Sequence, residues 1–405
     1  MPLVLFAGTL FLFISKSLYN VPIAIMAVIG LYRSIRSPRH VWDDQLSRFF
    51  IILFMCIWIP LLISLIDAVN ISRSAKTAFG YLRFLFMGIY LLQSLKSRDI
   101  WRNLRLFIFC LMVFWSLDGV LQLVIGRDLF GYPMAYGYIT GMFYPRFTIA
   151  HILAALSPIY IDFIFEKSKK SMWFWLLILP LIIVILMSGR RGTWIMFFIG
   201  MAGYLTYLFY QKLLSKRIIK QFILIMTVMI ITAGVTINFN KNLQQRFFGA
   251  FDVFSGNYEK INAAFSLRLP IWKTSLNIIR HHWINGVGPR GFRYSYDDYS
   301  GENDIWYGQM PTHPHQMYLE ILVETGLIGF FGILVALGFF YFYIKRLVKI
   351  SQLFPPILCM IVAIFPFNTH MAFYSSYWSS FLWCLMLIIF INSRNLINAR
   401  QVENI

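Results

Sequence analysis

The chain has 405 residues, of which 59% are hydrophobic and 13% are charged, and its formal net charge is +19. Soluble domains average about 45–50% apolar and about 25% charged residues, so this composition excludes an ordinary soluble domain. The excess apolar residues occur in long uncharged runs such as 49–66 and 172–187, which can cross a bilayer as helices. The sequence therefore predicts an all-α polytopic membrane protein.

The uncharged runs predict about twelve transmembrane helices. In chain order they lie near residues 2–15, 18–32, 49–67, 77–95, 103–125, 141–165, 172–188, 193–210, 222–238, 317–342, 354–371 and 378–393. The first two runs are short, so they could form a hairpin instead of two full crossings.

Basic residues cluster in alternate loops between these runs. They are Arg33, Arg36, Arg39, Arg48, Lys96, Arg98, Arg102, Arg105, Lys167, Lys169, Lys170, Lys212, Lys216, Arg217, Lys220, Lys345, Arg346, Lys349, Arg394 and Arg400. The positive-inside rule assigns these loops and both termini to the cytoplasm. Much of the net charge is thus a topology signal, and no nucleic-acid partner is predicted.

One long hydrophilic segment, residues 239–316, is predicted on the opposite side of the membrane. It divides the chain into an N-terminal bundle of about nine spans (1–238), the loop (239–316) and a C-terminal part of about three spans (317–405). Loops of this length are usually functional or disordered, and the aromatic residues here favour an ordered, helical loop. Residues 268–283 have apolar residues at helical spacing, which predicts an amphipathic helix that could lie at the membrane interface.

The stretch MSGRRGTW (187–194) places Arg190 and Arg191 between glycines, in a short turn between the seventh and eighth predicted spans. Guanidinium groups bind phosphate bidentately, and the start of the following helix adds its dipole, so this turn could form an anion site. The alternative is that both arginines only extend to the membrane interface.

Two further motifs lie in the loop. SLRLPIW (266–272) puts Arg268 at the start of the amphipathic helix, and NGVGPRGF (285–292) contains Gly286, Gly288 and Gly291 at GxGxxG spacing. Without a preceding βαβ unit this spacing does not predict a dinucleotide site. A glycine-rich turn is the preferred interpretation, with Arg290 directed at the site.

The stretch THPHQMYLE (312–320) leads into the tenth predicted span and places His313 and His315 just before it. Two histidines at this spacing can chelate a metal, but the acidic residues between 297 and 304 fit no ligand pattern, and no metal is predicted. Either histidine could simply mark the helix start. Nearby positive charge lowers the pKa of a histidine, so a histidine beside arginines suits general-base catalysis. Glu320 could lie at the interface or orient a histidine.

Four elements in this order resemble the O-antigen ligase/polymerase superfamily of bacterial membrane glycosyltransferases. They are S-G-R-R-G at 188–192, Arg268 with Trp272, G-V-G-P at 286–289, and H-Q-x-Y-L-E-x-x-x-E-x-G-x-x-G at 315–329. In the first motif a small residue precedes one arginine, so Arg191 is the match and Arg190 is additional. The resemblance implies a GT-C-like bundle, a large periplasmic loop and a lipid-linked donor, with no cofactor.

A single long loop resembles the ligases more than the polymerases. The resemblance then implies transfer of a glycan from undecaprenyl pyrophosphate to a sugar hydroxyl of lipid A–core in lipopolysaccharide biosynthesis, at the periplasmic face of the bacterial inner membrane. It implies a metal-independent, inverting reaction. His315 would be the catalytic base, and Arg191 and Arg268, helped by Arg190 and Arg290, would bind the donor pyrophosphate. The supporting residues would be His313, Gln316, Tyr318, Glu320, Gly286 and Gly288.

Two alternatives stay open at this stage. One is an O-antigen or exopolysaccharide polymerase of the same superfamily, whose acceptor is another lipid-linked glycan. The other is a polytopic transporter or flippase, a class that places ionisable groups near the bilayer midplane. The candidates for such groups are Arg83, Asp118, Arg146 and Asp162.

Overall fold

A computed structural model describes residues 1–96, 99–213, 216–239, 241–345, 351–366 and 370–403. The regular elements within these ranges are all helical. The α-helices are α1 (Pro2–Phe11), α2 (Asn20–Arg36), α3 (Pro38–Asp43), α4 (Gln45–Ile63), α5 (Ile71–Ser94), α6 (Asp99–Ile125), α7 (Ile149–Ser168), α8 (Ile178–Met187), α9 (Arg191–Tyr210), α10 (Lys216–Phe239), α11 (Lys241–Phe248), α12 (Tyr258–Ala264), α13 (Leu269–His281), α14 (Phe292–Tyr299), α15 (Met317–Lys345), α16 (Phe354–Ala363) and α17 (Ser376–Glu403). Short 3₁₀ segments occur at Leu12–Ile14, Gly141–Phe143, Met172–Leu177, Phe251–Phe254 and Ser351–Leu353.

Each predicted span overlaps at least one of these helices. Six helical segments in the described part of the chain are long and apolar enough to cross a membrane: Gln45–Ile63, Ile100–Ile125, Ile149–Ser168, Arg191–Tyr210, Met317–Lys345 and Ser376–Arg394. A polytopic all-α membrane protein is therefore confirmed, whereas the count of about twelve crossings stays a prediction.

Two predicted spans are shorter in the structure. After the 3₁₀ segment at Gly141–Phe143, the run at 141–165 becomes α-helical only from Ile149. The run at 354–371 is α-helical only to Ala363, with residues 367–369 outside the described ranges. Pro145 and Pro366 lie next to these boundaries. Proline disfavours the α conformation of the residue before it, so an apolar run can be long while its helix is short.

The described chain forms two compact units. Unit 1 comprises Met1–Trp101, Ser266–Leu353 and Asn368–Ile405, and unit 2 comprises Arg102–Phe265 and Phe354–Phe367. These units are defined by contacts between residues. The predicted division at 238 and 316 is defined by the membrane boundaries instead, and it stays a prediction.

In unit 1, α2 packs along α5, α15 packs on α4, and α17 packs on α5. Gly30 allows the closest approach, because a Cβ there would lie 1.9 Å from the carbonyl oxygen of Phe86. Near the C-terminal end of α5, the buried Arg394 donates to the carbonyl of Leu92 and to the carboxylate of Asp44. Burial opposes ionisation of Asp44, but the bonds from Ser47 and Arg394 outweigh it and lower the pKa of Asp44.

In unit 2, α7 packs against α9 and α16 and is the most enclosed candidate span, with 89% of it buried. Its polar residue Asp162 accepts from the hydroxyl of Tyr204 at 2.9 Å and pairs with Arg105 at 2.7 Å. Glu166, one turn further along α7, also pairs with Arg105. This network satisfies the charges at the end of the helix.

The described regular elements of the predicted loop are helices, whereas residues 300–316 form turns and irregular backbone. The part of the loop in unit 1 shares a small core with α15. That core contains Ile271, Ile278, Val287, Phe292, Tyr296 and Val323. The amphipathic helix predicted at 268–283 is α13, and it buries Ile271 and Ile278 while Leu276 and Trp283 stay 52% and 54% exposed. Its main apolar contact is thus this core, and its placement at a membrane interface stays a prediction.

Candidate functional site

His313 and His315 lie just before α15, with their rings 4.1 Å apart. His313 is buried, and its Nε2 donates to the carbonyl oxygen of His370 at 3.2 Å while the hydroxyl of Thr312 donates to Nδ1 at 2.9 Å. A carbonyl can only accept, so Nε2 carries a hydrogen, and in the neutral imidazole Nδ1 is then the acceptor. Burial lowers the pKa of His313 well below its ordinary value, which agrees with the neutral form. His313 thus uses both ring nitrogens in holding its segment.

His315 is only half-buried, and its backbone has a positive φ of 55°. Arg290 and Arg268 act electrostatically on His313, and the ring of His315 lies beside it, so these four side chains are in one neighbourhood. Trp272 fixes the backbone next to His315, because its indole N–H donates to the carbonyl oxygen of Pro314 at 3.0 Å. The structure therefore brings the predicted base and two of the predicted donor-binding arginines together.

Left-handed backbone is concentrated in this part of unit 1. Five non-glycine residues between 266 and 315 have positive φ: Ser266, Leu267, Arg290, Met310 and His315. Such residues cost on the order of 1–3 kcal/mol each and cluster at functional sites, where surrounding contacts hold them. Trp306 provides one such contact, donating its indole N–H to the carbonyl oxygen of Leu267 at 2.7 Å, directly before Arg268.

The glycine motifs of the sequence meet where the turn at 283–288 crosses a break in α15. Gly326 leaves the helical conformation there, with φ of 60° and ψ of −162°. A Cβ on Gly286 would lie 2.4 Å from the carbonyl carbon of Glu324, and a Cβ on Gly326 would lie 2.2 Å from the carbonyl oxygen of Ile284. Both glycines are thus required by the close contact of two backbones, and GxGxxG here is a packing motif.

Hydrogen bonds across this contact replace those that α15 loses at the break. They run from Leu327 N to Trp283 O (2.8 Å), from Ile328 N to Ile284 O (3.1 Å) and from Val287 N to Val323 O (2.9 Å). Gly288 continues the close packing, since a Cβ there would lie 2.6 Å from Ala68 Cβ and from Ser74 Oγ. The loop that carries Arg290 is therefore fixed to the helix that follows His315.

Two buried glutamates of α15 bind main-chain N–H groups. Glu320 accepts from Phe373 N at 2.8 Å and from Tyr374 N at 3.2 Å, and Glu324 accepts from Arg290 N at 2.6 Å. Both carboxylates are 0% exposed, so neither is interfacial. Glu320 Oε1 also lies 3.8 Å from Arg290 Nη1. The two glutamates thus position Arg290 and the segment before α17.

The remaining supporting residues lie at the start of α15. Gln316 accepts the backbone N–H of Leu319 on its side-chain oxygen at 2.5 Å, as an N-cap residue does. Tyr318 is half-buried in the first turn.

Burial raises the pKa of Tyr296 in α14, which donates to Asp304 at 3.0 Å.

In unit 2, the predicted arginine turn is joined by Arg246 of α11. Arg246 donates from Nε to the hydroxyl of Tyr138 at 2.6 Å, and the Arg190 guanidinium lies 3.9 Å from the ring centre of Phe147. Burial, together with the charge of Arg246, lowers the pKa of Arg190 to about 10. Arg191 is the first residue of α9, as expected for an anion site at a helix start.

Arg246 and Trp306 were not among the residues singled out in the sequence. Arg246 lies in the predicted periplasmic loop, where topology gives no reason for a basic residue, and that was the available signal. Trp306 had no comparable signal, because its partner Leu267 is 39 residues away in the chain.

Two of the acidic residues between 297 and 304 bond within the loop itself. Asp304 accepts from Tyr296 and, at 2.9 Å, from Trp306 N, and Asp297 accepts from Gly308 N at 3.0 Å. Across the described ranges, no group of three or more His, Cys, Asp or Glu side chains could hold a metal ion.

Comparison with known proteins agrees with the resemblance inferred from the motifs. Residues 175–334 match the family model described as O-Antigen ligase, and this segment contains all four motif elements. Over 216 residues the chain is 29% identical to an uncharacterized protein of Haemophilus influenzae (strain ATCC 51907 / DSM 11121 / KW20 / Rd), with 49% of this chain and 50% of that protein aligned. The alignment thus spans about half the length of this relative. The predicted resemblance to the O-antigen ligase superfamily is confirmed.

Proposed function

From the O-antigen ligase match over residues 175–334, we propose that this membrane protein is a glycosyltransferase that takes its glycan from a lipid pyrophosphate. The proposed donor is an undecaprenyl pyrophosphate-linked glycan, and the proposed acceptor is a sugar hydroxyl of lipid A–core. The observation that carries the proposal is the grouping of His315 with Arg268 and Arg290 around a neutral, buried His313.

The donor needs positive charge at its leaving group. As the bond between the anomeric carbon and the pyrophosphate oxygen breaks, negative charge develops on that oxygen, and preorganised arginines stabilise it. In unit 1, Arg268 and Arg290 would supply this charge. The roles of Arg190 and Arg191 in donor binding stay predictions. The positive charges of their turn, with Arg246 beside it, are suited to binding an anion.

The acceptor needs a base. In a single displacement the acceptor oxygen attacks the anomeric carbon, its proton passes to His315, and undecaprenyl pyrophosphate leaves with the bonding electron pair. This step inverts the anomeric configuration and requires neither a metal nor a cofactor. His313 is poorly suited to the role, because its two ring nitrogens already bind Thr312 and the carbonyl of His370.

The proposed location is the bacterial inner membrane, with the active site on the periplasmic side and both termini in the cytoplasm. The alternating basic loops support this orientation. A transporter is less well supported, because two of its candidate midplane groups have structural partners. Asp118 accepts the N–H groups of Leu129 and Met142, each at 2.9 Å, and Asp162 pairs with Arg105.

The choice of acceptor separates a ligase from a polymerase of the same superfamily. Purified full-length protein in liposomes would receive one lipid pyrophosphate-linked glycan, with lipid A–core and with a second lipid-linked repeat unit in separate reactions. We expect extension of lipid A–core. Extension of only the lipid-linked unit would identify a polymerase, and transfer that is unchanged in His315→Asn would refute the proposed mechanism.

A further inference from the structure

Unit 1 contains a cationic cavity of about 260 Å³ that none of the motifs identifies. Its lining residues are Arg73, Lys76, Thr77, Tyr81, Arg83, Arg290, Tyr374, Ser375 and Ser376. Four of these described lining residues are basic, none is acidic, and the other five carry hydroxyl groups. The cavity is therefore suited to an anion.

The two guanidinium groups that are best enclosed have N–H groups to spare. Arg83 donates to Ser376 Oγ at 2.9 Å and to Gly80 O at 3.1 Å, and its buried Nε makes no hydrogen bond to any described residue. The buried Nη1 of Arg290 likewise makes none within the described ranges. Each guanidinium can thus donate further hydrogen bonds to a ligand.

Arg73, Lys76 and Arg83 are spaced three and seven residues apart along α5, which places them on one helix face. Arg73 lies in the first turn of α5, where the helix dipole disfavours a cation and favours an anion. This end of α5 is also predicted to be periplasmic, so the positive-inside rule does not account for its basic residues. Their positions are explained if an anion binds between them.

Glu320 does not neutralise the cavity. Its two oxygens accept from the N–H groups of Phe373 and Tyr374, and its Oε1 lies 3.8 Å from Arg290 Nη1. Within the described ranges, Glu320 contacts only one of the four basic lining residues, Arg290, and its bonds hold Arg290 and Tyr374 in the cavity wall. Arg290 also acts electrostatically on His313, which links the cavity to the histidine pair.

We propose that this cavity binds a phosphate-bearing group of a substrate lipid, with Arg73, Lys76, Arg83 and Arg290 as its ligands. The identification of the lipid as a substrate rests on the proposed glycosyl transfer, whereas the anion site itself does not. Arg83 and Arg290 provide directed guanidinium hydrogen bonds, and Lys76 provides a mobile point charge. The phosphate belongs either to the pyrophosphate of the donor or to a phosphorylated acceptor.

A direct binding measurement tests the anion site without requiring transfer. Inorganic pyrophosphate would be titrated into purified full-length protein by calorimetry, with Arg83→Gln, the double variant Arg73→Gln/Lys76→Gln, and Lys273→Gln as a matched control. Lys273 is an exposed cation of α13 outside the cavity. We expect affinity about tenfold or more weaker in the cavity variants and unchanged in the control. Equal affinity in all proteins with intact thermal unfolding would refute the site.

Kinetics then identifies the source of the phosphate. A raised KM for the lipid-linked donor in Arg83→Gln assigns the cavity to the donor pyrophosphate, and a raised KM for the acceptor assigns it to the acceptor phosphate. Unchanged KM values for both would refute a substrate role. If no transfer is found but pyrophosphate binding weakens in the cavity variants, the anion site stands and the proposed glycosyl transfer fails.

Discussion

Unit 1 contains two kinds of enclosed arginine. Arg394 is paired with the carboxylate of Asp44 and also donates to the carbonyl of Leu92. Arg83, in contrast, donates to a hydroxyl and a carbonyl and lies over the ring of Phe84, 4.4 Å from its centre. The first arrangement neutralises its charge inside the protein, and the second does not.

Unit 2 repeats the contrast. Arg105 pairs with Asp162 and Glu166, whereas Arg190 lies over Phe147 and Arg246 donates to the hydroxyl of Tyr138. An enclosed charge without a carboxylate is costly to the fold. Arginines without a carboxylate partner are therefore better explained by the binding of an anionic ligand. The arginines that are paired with a carboxylate are better explained by a contribution to stability. Five predictions test this division.

The largest effect is expected at His315, the proposed base. Replacement of His315 by Asn removes the base and suits the left-handed backbone, which Asn tolerates. We expect transfer to fall by about 10²–10⁴-fold with normal thermal unfolding, measured as glycan transfer in liposomes. His313→Asn should lower transfer less; the reverse order would assign the base to His313.

Removal of a paired arginine should affect stability instead. Arg394→Gln leaves the carboxylate of Asp44 without its partner, and we expect the free energy of unfolding to fall by about 3 kcal/mol, measured by denaturant unfolding in detergent. The double variant Arg394→Gln/Asp44→Asn should recover part of this loss. Arg83→Gln serves as the contrasting variant and should reduce transfer with little loss of stability. If Arg83→Gln unfolds as readily as Arg394→Gln, the division fails.

Replacement by lysine should reveal whether shape matters in addition to charge. Arg191→Lys and Arg268→Lys keep a positive charge but lose the planar fork that holds phosphate bidentately. We expect each variant to lower the kcat/KM for donor by about 10–100-fold, the value of one charge-assisted hydrogen bond. Full activity in either variant would instead indicate long-range attraction or an interfacial role for that arginine.

A smaller effect concerns the pH dependence of stability. Burial holds His313 neutral in the folded protein, while the unfolded chain takes up a proton near a pKa of about 6.5. The contribution of neutral His313 to the free energy of unfolding is therefore fully present above this pH. Below it, the free energy of unfolding should fall by about 1.4 kcal/mol per pH unit until the pH reaches the lower pKa of His313 in the folded protein. Unfolding measured between pH 7 and 5 should show a smaller dependence for His313→Gln than for the original protein.

Removal of metal should have the smallest effect. The arginines can supply the positive charge that a divalent cation would bring, and grouped guanidinium groups repel such an ion. We expect transfer to be unchanged after exhaustive EDTA treatment and unstimulated by Mg²⁺, Mn²⁺ or Ca²⁺. Loss of transfer in EDTA, restored by one of these ions, would assign the role to the acidic residues at 297–304.

The helices and the order of the motifs could be predicted from the sequence because both depend on local patterns. Uncharged runs locate the membrane helices, and the spacing within 268–283 predicted α13. Helix ends were predicted less well where proline intervened, as at Pro145 and Pro366.

The site depends on contacts between distant parts of the chain, which no local pattern encodes. The sequence motif favoured His315 as the base, but the carbonyl of His370 and the hydroxyl of Thr312, which occupy the ring of His313, could not be foreseen from it. The cavity on α5 was not predicted for the same reason, since it requires Arg290 and Tyr374 to approach a helix more than 200 positions earlier.

The turn that crosses α15 at Gly326 limits how such proteins can be recombined. Because Leu327 and Ile328 donate to carbonyls of the loop, the loop and the helix form one structural part that the predicted membrane boundary at 316 would cut. In a chimera that exchanges only residues 239–316 with a relative, the turn at 283–288 comes from the relative while Gly326 does not. The two backbones must then pack together with too little space between them for a methyl group on Gly326. We expect hybrids joined after residue 329 to be produced in folded form and hybrids joined at 316 to be degraded.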